Sequence, residues 1–283
     1  MRKTILEAVV GSTVHGTAVN DGLEDLDLMA VVLEDQKTFA GFNAADTWTA
    51  RTKPMGVRSE AGDVDWVGYG LRKFLSLALK GNPSILLALF VPPEHVRELT
   101  TEGEELRTLA PDIVSKAAYM PFRGYMRQQH ERLLGLRGQR NVTRPELVEA
   151  YGYDTKYAAH VVRLGLQGEE LLLTGRISLP MRESERALCV KVRTGGFSLA
   201  EASTQIIDAE RRLDAAFAAS PLPERPDAAK VERWMLSAYL GHWNTPNVKL
   251  SGRQQRDALD SERKRGRKAL RSMAGAARCW RSA

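Results

Sequence analysis

The chain has 283 residues, 43% of them hydrophobic and 27% charged, with a net charge of +6 and a pI near 9.4; this is the balance of a soluble globular protein of one large or two modest domains. No apolar run approaches the roughly 18 residues that span a bilayer. The apolar stretch after Arg2 and Lys3 is broken by Glu7 and ends at Gly11-Ser12, too short and too charged for a signal peptide, so a cytoplasmic location without membrane partners is expected.

Cysteine usage narrows the metal chemistry. Cys189 and Cys279 are far apart and lack CxxC spacing, which argues against a disulfide framework and a thiolate zinc site. Any metal should be a hard cation held by oxygen.

In chain order, Ile5 to Val10 reads as a short buried strand stopped by Gly11-Ser12, and Leu26 to Leu33 as a second strand closed by Glu34-Asp35. Residues 36–62 lack sustained periodicity and read mostly as loop with short elements. A third strand, Val64 to Tyr69, runs into a helix with Leu71, Phe74, Leu75 and Ala78 at helical spacing. That helix should stop at Gly81, with Asn82 capping the next and Pro83 as its first residue. The apolar run 84–90 should be buried and is closed by Pro92-Pro93. Beyond Thr101 the patterns predict no strand, only helices near 112–137, 144–173, 183–193, 198–219 and 227–242. The expected organisation is a catalytic domain over 1–100, a helical domain over 101–250 and a basic tail over 251–283. The tail's Arg and Lys residues form either a solvated end or a phosphate-seeking surface.

The chemistry concentrates in Gly11-Ser12-Thr13-Val14-His15-Gly16-Thr17, Asp25-Leu26-Asp27 and Asp65. Strand side chains alternate, so Asp25 and Asp27 point to one side. Two carboxylates on one face repel unless a cation lies between them, and a third on a neighbouring strand completes a cage for one or two magnesium ions. A glycine after a strand lets the backbone approach phosphate, and the Ser12 hydroxyl can donate to it. Taken singly, D-x-D and G-S are weak signals; their order on strand, turn, strand and strand is what makes them specific.

These segments resemble the DNA polymerase beta nucleotidyltransferase superfamily. The extension from Asp63-Val64-Asp65 through Leu71-Arg72-Lys73-Phe74-Leu75 to Gly81-Asn82-Pro83 is similar to the nucleotidyltransferases associated with RNA repair. The resemblance implies an α+β fold, a small mixed polymerase beta-like sheet with flanking helices followed by an all-helical domain. It implies Asp25, Asp27 and Asp65 as catalytic metal ligands, with Asp63 the competing choice for the third, and two Mg2+ ions, for which Mn2+ could substitute. The chain departs from the family pattern at His15, where an aromatic residue is expected, and at Gly70 and Ala88, where acidic ones are.

A second stretch, Tyr153-Asp154-Thr155-Lys156 through His160 and Arg163 to Glu170, places Lys156, His160, Arg163, Gln167 and Glu170 on one helix face. It is either a solvated face with i,i+4 pairing or, as a similar pattern in the same family implies, a stripe for an anionic triphosphate. Arg72 and Lys73 are lesser phosphate candidates. Trp234, Tyr239, His242 and Trp243 are packing residues by their spacing, with base stacking as the alternative.

The expected activity is transfer of a nucleoside monophosphate from an NTP or dNTP to a hydroxyl acceptor with release of pyrophosphate. Gly11, Ser12, Lys156, His160 and Arg163 would bind the nucleotide. The acceptor is an RNA or DNA 3′ end, as in RNA repair or on a tRNA-type substrate. The alternatives are a protein or small-molecule hydroxyl, or a non-catalytic nucleic-acid-binding protein of the same fold. Oligomeric state is not legible.

Overall fold

The computed structural model describes residues 1–19, 25–42, 44–53, 62–136 and 144–244. Residues Met1–His242 form one compact unit. The basic end over 251–283 lies outside the described residues, and no helix among them is long and apolar enough to cross a membrane.

Five strands form one mixed sheet: β1 (Lys3–Val9), β2 (Leu26–Leu33), β3 (Thr47–Arg51), β4 (Val64–Gly70) and β5 (Val96–Leu99), in the order β3-β4-β2-β1-β5. β2 pairs antiparallel with β1 and parallel with β4, while β3 and β5 run antiparallel on the two edges. The central strand β2 is buried from Leu28 to Leu33, as a continuous Val/Leu run demands when both sides are covered. Its first residues are only half-buried, which leaves the carboxylates at its opening accessible.

Short helices fill the gaps in the amino-terminal part: α1 (Gly11–His15), α2 (Gln36–Ala40), α3 (Leu71–Ala78) and α4 (Pro83–Leu86). Asn82 caps α4 as expected, its side chain accepting from the Ser84 and Ile85 N–H groups at 3.1 and 3.2 Å. Two strands depart from the sequence reading. β3 falls within the stretch read as loop, and its residues are mostly exposed, so it carries no buried alternation to detect. β5 is only four residues long, at the opposite edge.

Among the described residues all later elements are helical: α5 (Thr101–Thr108), α6 (Ala110–Ile113), α7 (Tyr119–Leu133), α8 (Pro145–Tyr151), α9 (Thr155–Thr174), α10 (Glu183–Arg193), α11 (Leu199–Ala219) and α12 (Ala228–Asn244). The pattern read as one helix over 144–173 is two, because Gly152 at φ 79° ends α8 and Asp154 caps α9. The buried helix α9 packs against α7, α10 and α11. Gly165 and Gly168 permit that approach: a Cβ on either would lie within 2.8 Å of side-chain atoms from α7 and α11, Met126 and Ala209 in one case, Phe122 and Leu213 in the other.

Candidate active site

The strand register builds the acidic cluster. β2 and β4 are parallel with Asp27 directly opposite Asp65, and alternation puts Asp25 on the side of Asp27. Each of the three half-buried acids offers an oxygen within 4.8 Å of the others. Asp63 turns elsewhere, accepting from Thr52 Oγ1 at 2.8 Å and pairing with Lys53 at 3.5 Å. Of the two competing positions, Asp65 is the one that joins the cluster. Three carboxylates so close are mutually repulsive, and the all-oxygen set, free of Cys or His, suits a hard divalent cation. Arg51, opposite Asp65 on β3, supplies one positive charge, its Nε and Nη2 donating to Asp65 Oδ1 and Oδ2 at 2.7 and 2.9 Å.

The glycine-serine turn closes on the same acids. Val10 N–H donates to the Asp27 carbonyl at 2.9 Å, and Gly11 at φ 75° opens α1. The segment that the sequence presents as a turn is thus one and a half turns of helix, closed by Gly16 in the left-handed conformation. A Cβ on Gly11 would fall 2.2 Å from Asp27 Oδ2.

At the other end of α1, His15 is buried, and Arg163 Nη1 and Gln167 Nε2 lie 2.8 and 3.1 Å from its two ring nitrogens. Arg163 also donates to Gln167 Oε1 at 2.9 Å. Burial, reinforced by the neighbouring Arg163 charge, holds His15 well below the ordinary imidazole pKa. It is a neutral strut between the turn and α9, which accounts for a histidine where the family pattern has an aromatic residue.

Most of the polar stripe on α9 turns inward: Gln167 and Glu170 are buried, His160 and Arg163 half-buried, and Lys156 exposed. Lys156, His160 and Arg163 line a cleft of about 240 Å³ together with Ser12, Asp25 and Asp27. Gln167 reaches His15, and Glu170 accepts from Ser178 N and Arg182 Nη2 at 2.9 and 3.0 Å. Asp154 begins the helix, accepting from the Lys156 and Tyr157 N–H groups at 3.0 and 3.2 Å. Burial lowers Arg163 to about 10, so it remains a cation at neutral pH, and lowers His160, beside Arg163 and Lys156, to about 3. A half-buried guanidinium whose hydrogen-bond partners are the neutral His15 and Gln167 favours an anion in the cleft.

A second cleft of about 370 Å³ also reaches Asp27 and is lined by Asp65, Arg51, Thr49, Tyr69 and Ser84. Asp25 faces the first cleft, Asp65 the second and Asp27 both; Gly11, His15 and Arg163 also border both. Sequence reasoning missed Arg51, which lies on an undetected strand, and Arg193 and Cys189 of α10, which line the first cleft. The Cys189 thiol, pushed up to about 12 by burial, stays protonated.

The lesser candidates lie elsewhere. Lys73 pairs with Asp46 at 3.4 Å and the Arg72 guanidinium stacks on Phe39 at 4.3 Å. Tyr239 is buried and donates to Glu34 at 2.6 Å. Gly70 is explained by the same Glu34: a Cβ there would lie 2.0 Å from Glu34 Oε1. Ala88 is 1% exposed, a site where a carboxylate would be costly.

A glycine-serine turn and D-x-D strand in a mixed sheet, a third acid on the parallel neighbour and helices beyond define a polymerase beta-like nucleotidyltransferase. The chain belongs to the RNA repair pathway DNA polymerase beta family, whose model matches residues 2–237. Membership implies a nucleotide substrate. Among solved structures, the chain is similar to a nucleotidyltransferase-like protein from Exiguobacterium sibiricum 255-15, at 10% identity and a TM-score of 0.30 over 83% of this chain and 73% of that one; a likeness this distant carries no argument. No curated protein matches the sequence.

Proposed function

We propose that the protein is a metal-dependent nucleotidyltransferase that moves a nucleoside monophosphate from an NTP or dNTP to the 3′ hydroxyl of a nucleic-acid end. The observation that carries the reading is the straddling of two clefts by one acidic cluster. One cleft is rich in cations and the other carries the third acid. A transfer reaction needs this arrangement: donor on one side, acceptor on the other, and the reacting atoms between.

Asp25, Asp27 and Asp65 would hold two Mg2+ ions. Bound there, magnesium would activate the attacking hydroxyl and neutralise charge on the triphosphate and departing pyrophosphate. Ser12 donates to phosphate oxygens, and Gly11 keeps the backbone close enough for it to do so. Lys156 and Arg163 neutralise the triphosphate, and His160, neutral at physiological pH, adds a hydrogen bond without a charge. Asp65, on the acceptor side, orients the hydroxyl and is placed to receive its proton. In this reading residues 1–100 supply the acids and 101–250 close the nucleotide site.

Labelled NTPs and dNTPs mixed with Mg2+ and short RNA or DNA strands carrying free 3′ hydroxyls test the proposal. Wild-type protein should lengthen a strand and Asp27→Asn should not. Label appearing only on protein or on a small-molecule hydroxyl would overturn the acceptor assignment, and no product with any acceptor would overturn the enzyme.

A further inference from the structure

Arg51 holds both oxygens of Asp65, the atoms that a divalent cation would need. The contact follows from strand register, because β3 pairs antiparallel with β4 and sets Arg51 opposite Asp65. It is a charge that this chain itself places against the three-acid repulsion.

We propose that Arg51 is an exchangeable counter-ion that leaves Asp65 when a divalent cation takes that carboxylate, and that it then binds a backbone phosphate near the 3′ end of the acceptor strand. The proposal rests on the transferase reading, since the acceptor strand is what that reading places in the second cleft.

Three features support it. First, the pair is partly exposed, with 31% of the Arg51 side chain and 23% of that of Asp65 accessible. An ion pair at such exposure contributes little and breaks at little cost. Second, a guanidinium and a divalent cation on the same two oxygens repel, so occupancy by one disfavours the other. Third, Arg51 lines the second cleft beside Asp65 with the uncharged Thr49, Ser84 and Tyr69, while the other arginine lining it, Arg163, also borders the first cleft. A strand whose terminal hydroxyl reaches Asp65 carries its last phosphodiester within a few ångströms of that hydroxyl. The planar fork released from a carboxylate fits a phosphate equally well.

The experiment has two readouts, neither of them activity. Mn2+ binding, followed by electron paramagnetic resonance with nucleotide and RNA absent, should tighten about tenfold in Arg51→Gln, since one repelling charge is removed. Binding of a fluorescent short RNA with a free 3′ hydroxyl, measured by anisotropy in Mg2+ over a series of salt concentrations, should weaken in Arg51→Gln. Its slope of log affinity against log salt should become shallower by about 0.7, the contribution of one single-strand phosphate contact. Arg51→Lys, which keeps the charge and loses the fork, should restore the salt slope. Unchanged or weaker Mn2+ binding in Arg51→Gln, or an unchanged salt slope, would overturn the proposal. Wild-type protein that binds no Mn2+ would instead sink the metal reading itself.

Discussion

Gly11 lies against Asp27 so closely that a single methyl group on it would stand 2.2 Å from the Asp27 carboxylate oxygen. The turn that would cradle phosphate and the acid that would hold metal are thereby one unit. Gly11 also has φ 75°, so alanine there should cost about 1–2 kcal/mol in backbone strain alone. In Gly11→Ala we expect a protein that is folded, less stable in urea by at least that amount, and deficient in Mn2+ binding by calorimetry. Wild-type affinity in the alanine variant would show that the contact does not set the carboxylate.

Asp27→Asn separates stability from function. Because Asp27 sits among like charges, its neutralisation should leave the melting temperature in EDTA unchanged or higher. Millimolar Mg2+ should raise the melting temperature of wild-type protein, since only the folded state presents the site, and should not raise that of the variant. Nucleotide transfer should fall by at least about a hundredfold, beyond the loss caused by removing an outer partner of a metal ligand.

One buried and one half-buried imidazole predict the acid response. His15 is held well below its ordinary value of 6.5 and His160 is lowered to about 3, in both cases chiefly by burial. The unfolded chain then binds more protons than the folded one below pH 6.5, so stability is full above that pH and falls as pH drops through it. Each histidine contributes a slope of up to about 1.4 kcal/mol per pH unit. Urea titrations between pH 7 and about pH 5, above the ordinary carboxylate range, should show the fall. His160→Gln should flatten it; an unaltered slope would place the response elsewhere.

Helix α12, the last among the described residues, is anchored by a buried hydroxyl. Tyr239 donates to Glu34 at 2.6 Å and accepts from Arg72 N–H at 3.1 Å, while Leu71 N–H donates to the same carboxylate at 3.2 Å. Tyr239→Phe removes these two Tyr239 hydrogen bonds without changing the ring, and should cost about 1–3 kcal/mol in urea unfolding because a buried carboxylate loses one of its donors. Mn2+ affinity should not change, since Tyr239 borders neither cleft.

What the sequence determined by itself was local or periodic. The strand at Leu26–Leu33 was legible because a continuous apolar run announces burial, and the caps at Asn82 and the helix at Leu71–Ala78 because their signals lie within a few residues. The same alternation placed Asp25 and Asp27 on one side, and 3.6-residue spacing gathered Lys156, His160 and Arg163 on one face. Tertiary structure alone decided where those faces point. The parallel register of two strands nearly forty residues apart chose Asp65 over Asp63. The hydrogen bonds from α9 turned His15 into a strut for Arg163, and an exposed edge strand brought Arg51 to Asp65. Each of these depends on partners distant in the chain, whose meeting is set by the burial of other residues and leaves no periodic trace around the residues that meet.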